Sequence, residues 1–179
     1  ESKTNKNNDK ETAQLDLFGM QSMLETKDSK KTSSHKNLAS EKAKYHLISS
    51  KSERKKLLET LLKQKQVCFD TETSDIEPRH ADIIGLSFSF KAREAYYVAI
   101  PNNYIDAQNI LTEFAPFFNA LEIEKIAHNI KFDLKVLSRY NIQIKGPVFD
   151  TMIAHYLINP ESRQSMDFLA TFYLNYQAI

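Results

Sequence analysis

The pattern of apolar and polar positions predicts short β-strands throughout residues 45–179. Each predicted strand is a run rich in β-branched, aromatic or other apolar residues, bounded by polar or turn-forming ones. The predicted strands are 45–48, 66–71, 83–90, 94–100, 125–128 and 148–149. Because three residues separate the third strand from the fourth, these two are expected to form an antiparallel hairpin. The first strand is expected at an edge of the sheet.

Between the strands, apolar positions recur at the three- and four-residue spacing of helices. The predicted helices are 52–65, 107–121, 129–137, 152–157 and 165–176. Ser50 and Glu53 form a capping box at the start of the first helix, and Pro116 is expected to bend or split the second. Asp150 or Thr151 is expected to cap the fourth. The last helix is expected to face inward with Met166, Leu169, Ala170 and Tyr173.

This alternation of helices and strands around a hairpin predicts an α/β protein, with a mixed β-sheet flanked by α-helices. Composition divides the 179 residues in two. Residues 1–44 are mostly Lys, Ser, Asn, Thr, Asp and Glu, and they are predicted to form a flexible linker or tail because they cannot bury a core. Residues 45–179 are predicted to be one domain. The net charge of +1 offers no global attraction for nucleic acid, so any basic surface must be local.

Cysteine content and hydropathy indicate the compartment. The single cysteine, Cys68, excludes an internal disulfide, is typical of a reducing environment and is interpreted as a core thiol. The sequence contains no run of about 18 apolar residues and no signal-peptide core. A cytoplasmic protein without a membrane partner is therefore predicted.

An apolar island interrupts the polar segment at Gln14-Leu15-Asp16-Leu17-Phe18. It is either a chance apolar patch in a linker or a short linear motif that docks in a partner's pocket, with Leu15, Leu17 and Phe18 as anchors. The string resembles the pentapeptide by which bacterial replication proteins bind the sliding clamp. Gln14, Leu15, Leu17 and Phe18 are therefore candidate partner-binding residues.

The strand 66–71 runs into two acids separated by one residue. Positions i and i+2 of a strand share a face, so Asp70 and Glu72 are expected to point the same way. Adjacent carboxylates repel each other unless a cation lies between them, and oxygen ligands suit a hard ion such as Mg²⁺ or Mn²⁺. The alternative is a pair of solvated acids at an exposed strand end.

A second polar pair lies four residues apart on the helix 129–137. Its core stripe is predicted to be Ile130, Leu134 and Leu137. Asn129 is placed to cap the helix, and Asp133 lies one turn in, where the helix dipole favours an anion. As a metal ligand, Asp133 would supply a third carboxylate, aimed at the end of the strand 66–71.

Three segments together resemble a known family. They are F-D-T-E-T at 69–73, H-N-I-K-F-D at 128–133 and F-D-T-M-I-A-H-Y-L at 149–157. They resemble the 3′–5′ proofreading exonuclease domain of bacterial DNA polymerase I, one of the DEDD exonucleases, which share a ribonuclease H-like fold. The resemblance covers about residues 45–176. It implies hydrolysis of the 3′-terminal phosphodiester of single-stranded or frayed DNA by two metal ions, Mg²⁺ or Mn²⁺.

The resemblance also implies roles for single residues. Its metal-holding, catalytic positions are Asp70, Glu72 and Asp133. Its positions at the 3′-terminal nucleotide are Ile76, Asn129 and Phe132. The family often has tyrosine where this chain has Phe132, so a hydroxyl contact is expected to be missing.

The family's third motif, a Tyr and an Asp four residues apart on a later helix, is not found in residues 165–179. The chain is therefore expected to be a fragment of a longer polymerase, weak or inactive alone. Two alternatives stay open. One is a ribonuclease D-like exonuclease acting on RNA, and the other is a non-catalytic DNA-binding or scaffold module with a clamp tether.

Overall fold

The computed structural model describes residues 35–38, 40 and 42–177. In this part of the chain, six strands form one sheet in the order β1-β4-β3-β2-β5-β6. The strands are β1 (Lys44–Ile48), β2 (Gln66–Thr73), β3 (Ile83–Lys91), β4 (Glu94–Ala99), β5 (Glu124–Ala127) and β6 (Val148–Asp150). The predicted edge strand and the predicted β3–β4 hairpin are both present.

Strand direction decides what meets at each end of the sheet. β3 is antiparallel to its neighbours β2 and β4, whereas the pairs β1–β4, β2–β5 and β5–β6 are parallel. The carboxyl ends of β1, β4, β2, β5 and β6 therefore lie along one edge, which we call the carboxyl edge. The acids that follow Phe69 lie at this edge, in the middle of the sheet.

The helices follow the sequence pattern with small shifts at their ends. They are α1 (Lys51–Leu61), α2 (Tyr104–Glu113), α3 (Ala115–Asn119), α4 (Ile130–Arg139), α5 (Thr151–Ile158) and α6 (Met166–Leu174). The Ser50–Glu53 capping box begins α1 as predicted. Pro116 lies in the first turn of α3 and splits the predicted helix 107–121 in two, because a proline ring is tolerated at a helix start but not in its interior.

The core lies on one face of the sheet, and aromatic side chains dominate it. The ring of Phe88 from β3 stacks on Phe114 and meets Phe117 edge to face, at centroid distances of 5.4 and 5.6 Å. From α1, Leu57 and Leu61 are buried against this layer. The alternation along β2 places Val67, Phe69 and Thr71 in the core and turns the residues between them to the other face.

The interpretation of Cys68 as a core thiol was wrong. Cys68 is exposed because it shares the outward face of β2 with Asp70 and Glu72. The period-two alternation that aligned the acids applies equally to the cysteine two positions before them.

The inward face predicted for the last helix is only partly formed. No residue of α6 is buried among the residues described, and Met166 and Tyr173 are each 53% exposed. Leu169 and Ala170 are half-buried against α5. Beyond α6, Lys36 pairs in parallel with Tyr176 through backbone hydrogen bonds to Asn175 and Gln177.

Across the described residues, no helix combines the length and the hydropathy that crossing a membrane requires.

Candidate functional site

Two of the predicted acids stand side by side on the outward face of β2. Asp70 pairs across the sheet with Ser87 of β3, and Glu72 pairs with Gly85. Asp70 is half-buried and Glu72 is exposed. Both carboxylates therefore face the same side of the sheet at the carboxyl edge, as the spacing predicted.

Asp133 approaches the same strand end from α4. Its Oδ1 accepts two hydrogen bonds from Thr71, one from the backbone N–H at 3.0 Å and one from the hydroxyl at 2.7 Å. Asp133 is only 2% exposed, so these bonds offset part of the cost of burying its charge. Thr71 lies between Asp70 and Glu72, and it thereby fixes the third acid next to the first two.

The burial of Asp133 corrects the predicted stripe of α4. The buried positions are Ile130, Asp133, Val136 and Leu137, whereas Leu134 is 38% exposed. Both 130–134–137 and 130–133–137 fit the helical period. The donors of Thr71 select the second, because they give a buried carboxylate its partners.

The proximity of these acids perturbs their protonation. Burial, together with the neighbouring Asp133 and Glu72 charges, raises the pKa of Asp70 from 3.8 to about 6. Burial also raises the pKa of Asp133, against the lowering effect of the Thr71 hydrogen bonds. Burial and the charges of Asp70 and Asp133 raise the pKa of the Cys68 thiol. The carboxyl end of β2 is thus a place where excess negative charge is not compensated.

The donor set at this point suits a hard divalent cation. Among the described residues, no lysine or arginine forms an ion pair with Asp70, Glu72 or Asp133. A divalent ion with oxygen ligands would relieve the repulsion that raises the pKa of Asp70. Within residues 35–38, 40 and 42–177, however, no three His, Cys, Asp or Glu side chains stand in a metal-holding arrangement. The three acids thus match such an ion in the chemistry of their oxygens and in their common location, and not in a formed coordination geometry.

Asn129 begins α4 in a left-handed backbone conformation, with φ 61° and ψ 48°. Its side chain makes no capping hydrogen bond, so the predicted capping role of that side chain was wrong. The cap comes from Asp150, whose carboxylate accepts from the backbone N–H groups of Asn129 at 3.1 Å and Ile130 at 2.9 Å. The half-buried Asn129 amide is left available for other contacts.

Asp150 caps its own helix as well. Its Oδ1 accepts from the N–H groups of Met152 at 2.8 Å and Ile153 at 3.3 Å. The predicted cap of α5 is therefore confirmed, and the same carboxylate also begins α4. The second cap is not visible in the sequence, because the two helices start about twenty residues apart and meet only through the parallel pairing of β5 and β6.

The remaining predicted residues are spread more widely. Phe132 is half-buried and packs against the core, whereas Ile76, in the loop after β2, is 93% exposed. Gln14, Leu15, Leu17 and Phe18 lie outside the described residues. The structure therefore brings Asp70, Glu72 and Asp133 to one strand end and leaves Ile76 free to meet a ligand.

Two histidines that showed no ligand spacing in the sequence line one cavity of about 350 Å³ between β6, α5 and α6. The His128 ring bonds Thr151 and the His155 ring bonds the Tyr173 hydroxyl, each through Nδ1 at 2.9 Å. Both Nε2 atoms are buried and have no hydrogen-bond partner among the residues that the structure describes. Their proximity depends on the packing of α5 against α6, which residue spacing does not reveal.

The sequence profile described as 3′-5′ exonuclease matches residues 45–179. The chain belongs to this 3′–5′ exonuclease family. It is 41% identical over 142 residues to DNA polymerase I of Borreliella burgdorferi, a match that covers 78% of this chain and 16% of that protein. The chain thus spans about a sixth of the length of this relative. The predicted resemblance is confirmed.

Two solved structures share the fold of this chain. Brucella melitensis NrnC with bound Mg²⁺ superimposes with a TM-score of 0.60 at 22% identity, covering 76% of this chain and 64% of that one. Trypanosoma brucei RNase D in complex with RNA U12 gives a TM-score of 0.61 at 15% identity, covering 73% and 47%. The predicted ribonuclease H-like fold, a mixed sheet with flanking helices, is confirmed.

Proposed function

We propose that this exonuclease chain hydrolyses the 3′-terminal phosphodiester of single-stranded or frayed DNA, as the proofreading domain of a DNA polymerase I. The observation that carries the proposal is the convergence of Asp70, Glu72 and Asp133 on the carboxyl end of β2. The 41% identity to a protein named DNA polymerase I supports DNA as the substrate. Cleavage would release a deoxynucleoside 5′-monophosphate.

Divalent cations, Mg²⁺ or Mn²⁺ as a pair, would supply an activated water and stabilise the charge on the phosphate and the leaving 3′-oxygen. Asp70 and Glu72 offer carboxylate oxygens to such ions from the outward face of β2. Asp133 offers the oxygen that is not engaged by Thr71. Its orientation is set by a rigid strand end, which a catalytic ligand requires.

Three residues are proposed to hold the terminal nucleotide. Ile76 is exposed in the loop after β2 and can pack against the terminal base. Asn129 presents an amide that caps nothing in its own helix, and Phe132, the residue before Asp133, is half-buried against the core. Such contacts with base and backbone tolerate any sequence.

Digestion of a 5′-labelled 12-nucleotide DNA in Mn²⁺ tests the proposal. Slow shortening from the 3′ end is expected, because the family's third motif is not found in residues 165–179. Asp70→Ala is expected to reduce that rate more than about 100-fold, which exceeds the loss typical of residues that contact only the ligands of a metal. The matched control is Glu161→Gln, which removes an exposed acid far from β2 in sequence. Equal rates for Asp70→Ala and the chain itself would reject the site.

Calorimetry with Mn²⁺ tests the same site without turnover. Binding is expected for the chain and for Glu161→Gln, and it is expected to weaken at least tenfold in Asp70→Ala. Metal binding without digestion would favour the alternative of a non-catalytic DNA-binding or scaffold module. Unchanged binding in Asp70→Ala would refute the assignment of these acids as metal ligands.

The ribonuclease D-like alternative keeps the site and changes the substrate. It is favoured by the fold shared with an RNase D that was solved with RNA. A 12-nucleotide RNA of the same sequence discriminates between the two. Faster digestion of RNA than of DNA would favour this alternative.

Residues 14–18 are proposed to bind a sliding clamp, on the strength of the resemblance of Gln14-Leu15-Asp16-Leu17-Phe18 to a clamp-binding pentapeptide. Titration of a fluorescent peptide covering residues 10–24 with a bacterial clamp is expected to saturate. Replacing Leu17 and Phe18 by alanine is expected to abolish binding. A titration that never saturates would exclude this partner.

A further inference from the structure

Positive charge is concentrated in the segment that contains α1. Residues 51–65 hold six cationic side chains and two acidic ones, a local charge of +4, whereas the whole chain has +1. The remainder of the chain is therefore net negative. The net charge conceals a local basic surface, which is the form that a nucleic-acid contact would have to take here.

Two of these cations stand one helical turn apart at the start of α1. Lys51 and Lys55 are exposed and occupy one face at the i, i+4 spacing; we call them the α1 lysine pair. They line a groove of about 530 Å³ between α1 and α2, which also contacts Ser52, Arg54, Leu58 and Glu113. Neither lysine forms an ion pair with a described residue.

The carboxylate that lines the groove, Glu113, is already paired. Glu113 receives two hydrogen bonds from Arg54, at 2.8 and 3.0 Å. Glu53 is engaged by the backbone N–H groups of Ser49 and Ser50, as part of the cap of α1. The groove therefore presents uncompensated positive charge, and an incoming phosphate meets no free carboxylate on its floor.

Topology places this groove at the same edge of the sheet as the acids. β1 runs parallel to β4 and to β2, so α1 starts at the carboxyl edge, where Asp70 and Glu72 also lie. Three strand spacings separate β1 from β2 in the sheet, so the distance between these two strands is about 14 Å. Because α1 packs on the core face, a ligand that joins the two must pass over the carboxyl edge, and its path is longer than this.

We infer that the α1 lysine pair binds phosphates of the same nucleic-acid strand whose 3′ end lies at Asp70 and Glu72. This inference rests on the proposed function and names the path of its substrate. At about 3.4 Å per stacked nucleotide, 14 Å corresponds to at least four nucleotides. Phosphates that lie five or more nucleotides from the 3′ end therefore reach the lysines. A strand of fewer than five nucleotides has no phosphate that reaches them.

Strand length and salt dependence together test the inference. Binding of fluorescent DNA is measured by anisotropy in Ca²⁺, with a 3-nucleotide and a 12-nucleotide strand, for the chain and for Lys51→Glu/Lys55→Glu. The double variant is expected to weaken 12-nucleotide binding at least tenfold and to leave 3-nucleotide binding unchanged. Loss of two phosphate contacts is also expected to reduce the slope of log K against log salt by about 1.4.

The matched control is Lys63→Glu/Lys65→Glu, which makes the same change of charge at the far end of α1, beside the start of β2 and the opposite edge of the sheet. A purely global charge effect would weaken binding equally in both double variants, and that result would overturn the inference. The inference would also be overturned if Lys51→Glu/Lys55→Glu weakened the binding of the 3-nucleotide and the 12-nucleotide strands equally. Unchanged binding of the 12-nucleotide strand by Lys51→Glu/Lys55→Glu would show that the groove does not contact this DNA, and it would also overturn the inference.

The proposed function fails in a distinguishable way. If it is wrong, Asp70→Ala binds metal and digests DNA as the unchanged chain does, whatever the lysines do. If only the inferred path is wrong, digestion and metal binding persist while the length dependence is absent. Thermal unfolding of both double variants confirms that each is folded before binding is compared.

Discussion

Thr71 donates two hydrogen bonds to a single oxygen of Asp133, from its backbone N–H at 3.0 Å and from its hydroxyl at 2.7 Å. The side chain of Thr71 points into the core while those of Asp70 and Glu72 point away from it. The three acids therefore reach the same strand end from opposite faces of β2, and one threonine links them.

Thr71→Val is expected to destabilise the fold by about 1 to 3 kcal/mol, because a buried carboxylate loses a donor without any change in side-chain shape. The loss is expected to be larger at pH 8 than at pH 4.5, since the ionised form of Asp133 depends most on the hydroxyl. Urea unfolding at the two pH values measures both effects. Thr73→Val, two residues along the same strand, is the matched control, and an equal effect there would contradict the assigned role.

Asp70→Asn is expected to stabilise the metal-free chain at high pH. The folded pKa of Asp70 is raised from 3.8 to about 6, so the folded state binds this proton more tightly and stability falls as pH rises through that window. The variant does not carry the cost of ionising Asp70 in the folded state. Its free energy of unfolding at pH 8 is therefore expected to be about 1 to 2 kcal/mol higher, a value that allows for solvent screening of the half-buried carboxyl. The gain is expected to vanish below pH 3.8.

Thermal unfolding in EDTA at pH 4, 6 and 8 measures the effect of Asp70→Asn, with Glu161→Gln as the control. In Mn²⁺ the order is expected to reverse, because a bound ion stabilises the native chain and not the variant. A variant that is less stable than the native chain at pH 8 without metal would show that the charge of Asp70 is already compensated.

How far the sequence predicted this site depends on the residue. The period of two along β2 correctly aligned Asp70 and Glu72, because a strand's faces follow from local geometry. The same rule also places Cys68 outward, against its interpretation as a core thiol. For α4 the helical period allowed either Asp133 or Leu134 inward, and the choice depends on donors 62 residues away in sequence.

The caps show the same limit. The capping box at Ser50 involves neighbours along the chain and was predicted in full. The cap of α4 was assigned to Asn129 from its position, whereas the structure uses Asp150, a residue brought there by strand pairing. Helix caps are thus predictable where the partners are close in sequence, and not where the pairing of strands brings the partners together.

Asp150→Ala is expected to cost more than the loss of an ordinary cap. The substitution leaves four backbone N–H groups without the carboxylate, two at the start of each helix. A loss of about 2 to 3 kcal/mol is expected, against about 1 kcal/mol for Asn103→Ala, which removes the single cap of α2. Urea unfolding measures the free energy of unfolding of both variants. Equal losses would mean that one of the two caps formed by Asp150 does not contribute to stability.

Gly85 has no room for a side chain. Gly85 lies across from Glu72 on the outward face, and a Cβ there would overlap the ring of Tyr97 from β4. Gly85→Ala is expected to destabilise the fold by about 1 to 3 kcal/mol. In a Tyr97→Ala background most of that cost is expected to disappear, and a double-mutant cycle measures the coupling. If the effects of the two substitutions were additive, the cost of Gly85→Ala would not come from overlap with Tyr97.

The carboxylate of Asp150 has a dynamic consequence. Because it holds the first turns of α4 and α5 together, separation of β6 from β5 would release both helix starts at once. The segment that carries Asn129 and Asp133 is therefore expected to open as one cooperative unit with the sheet's outer strand rather than to fray alone. Amide protons of Ile130 and Met152 would then exchange at a common rate, set by an event at the rim of the sheet rather than by the stability of either helix.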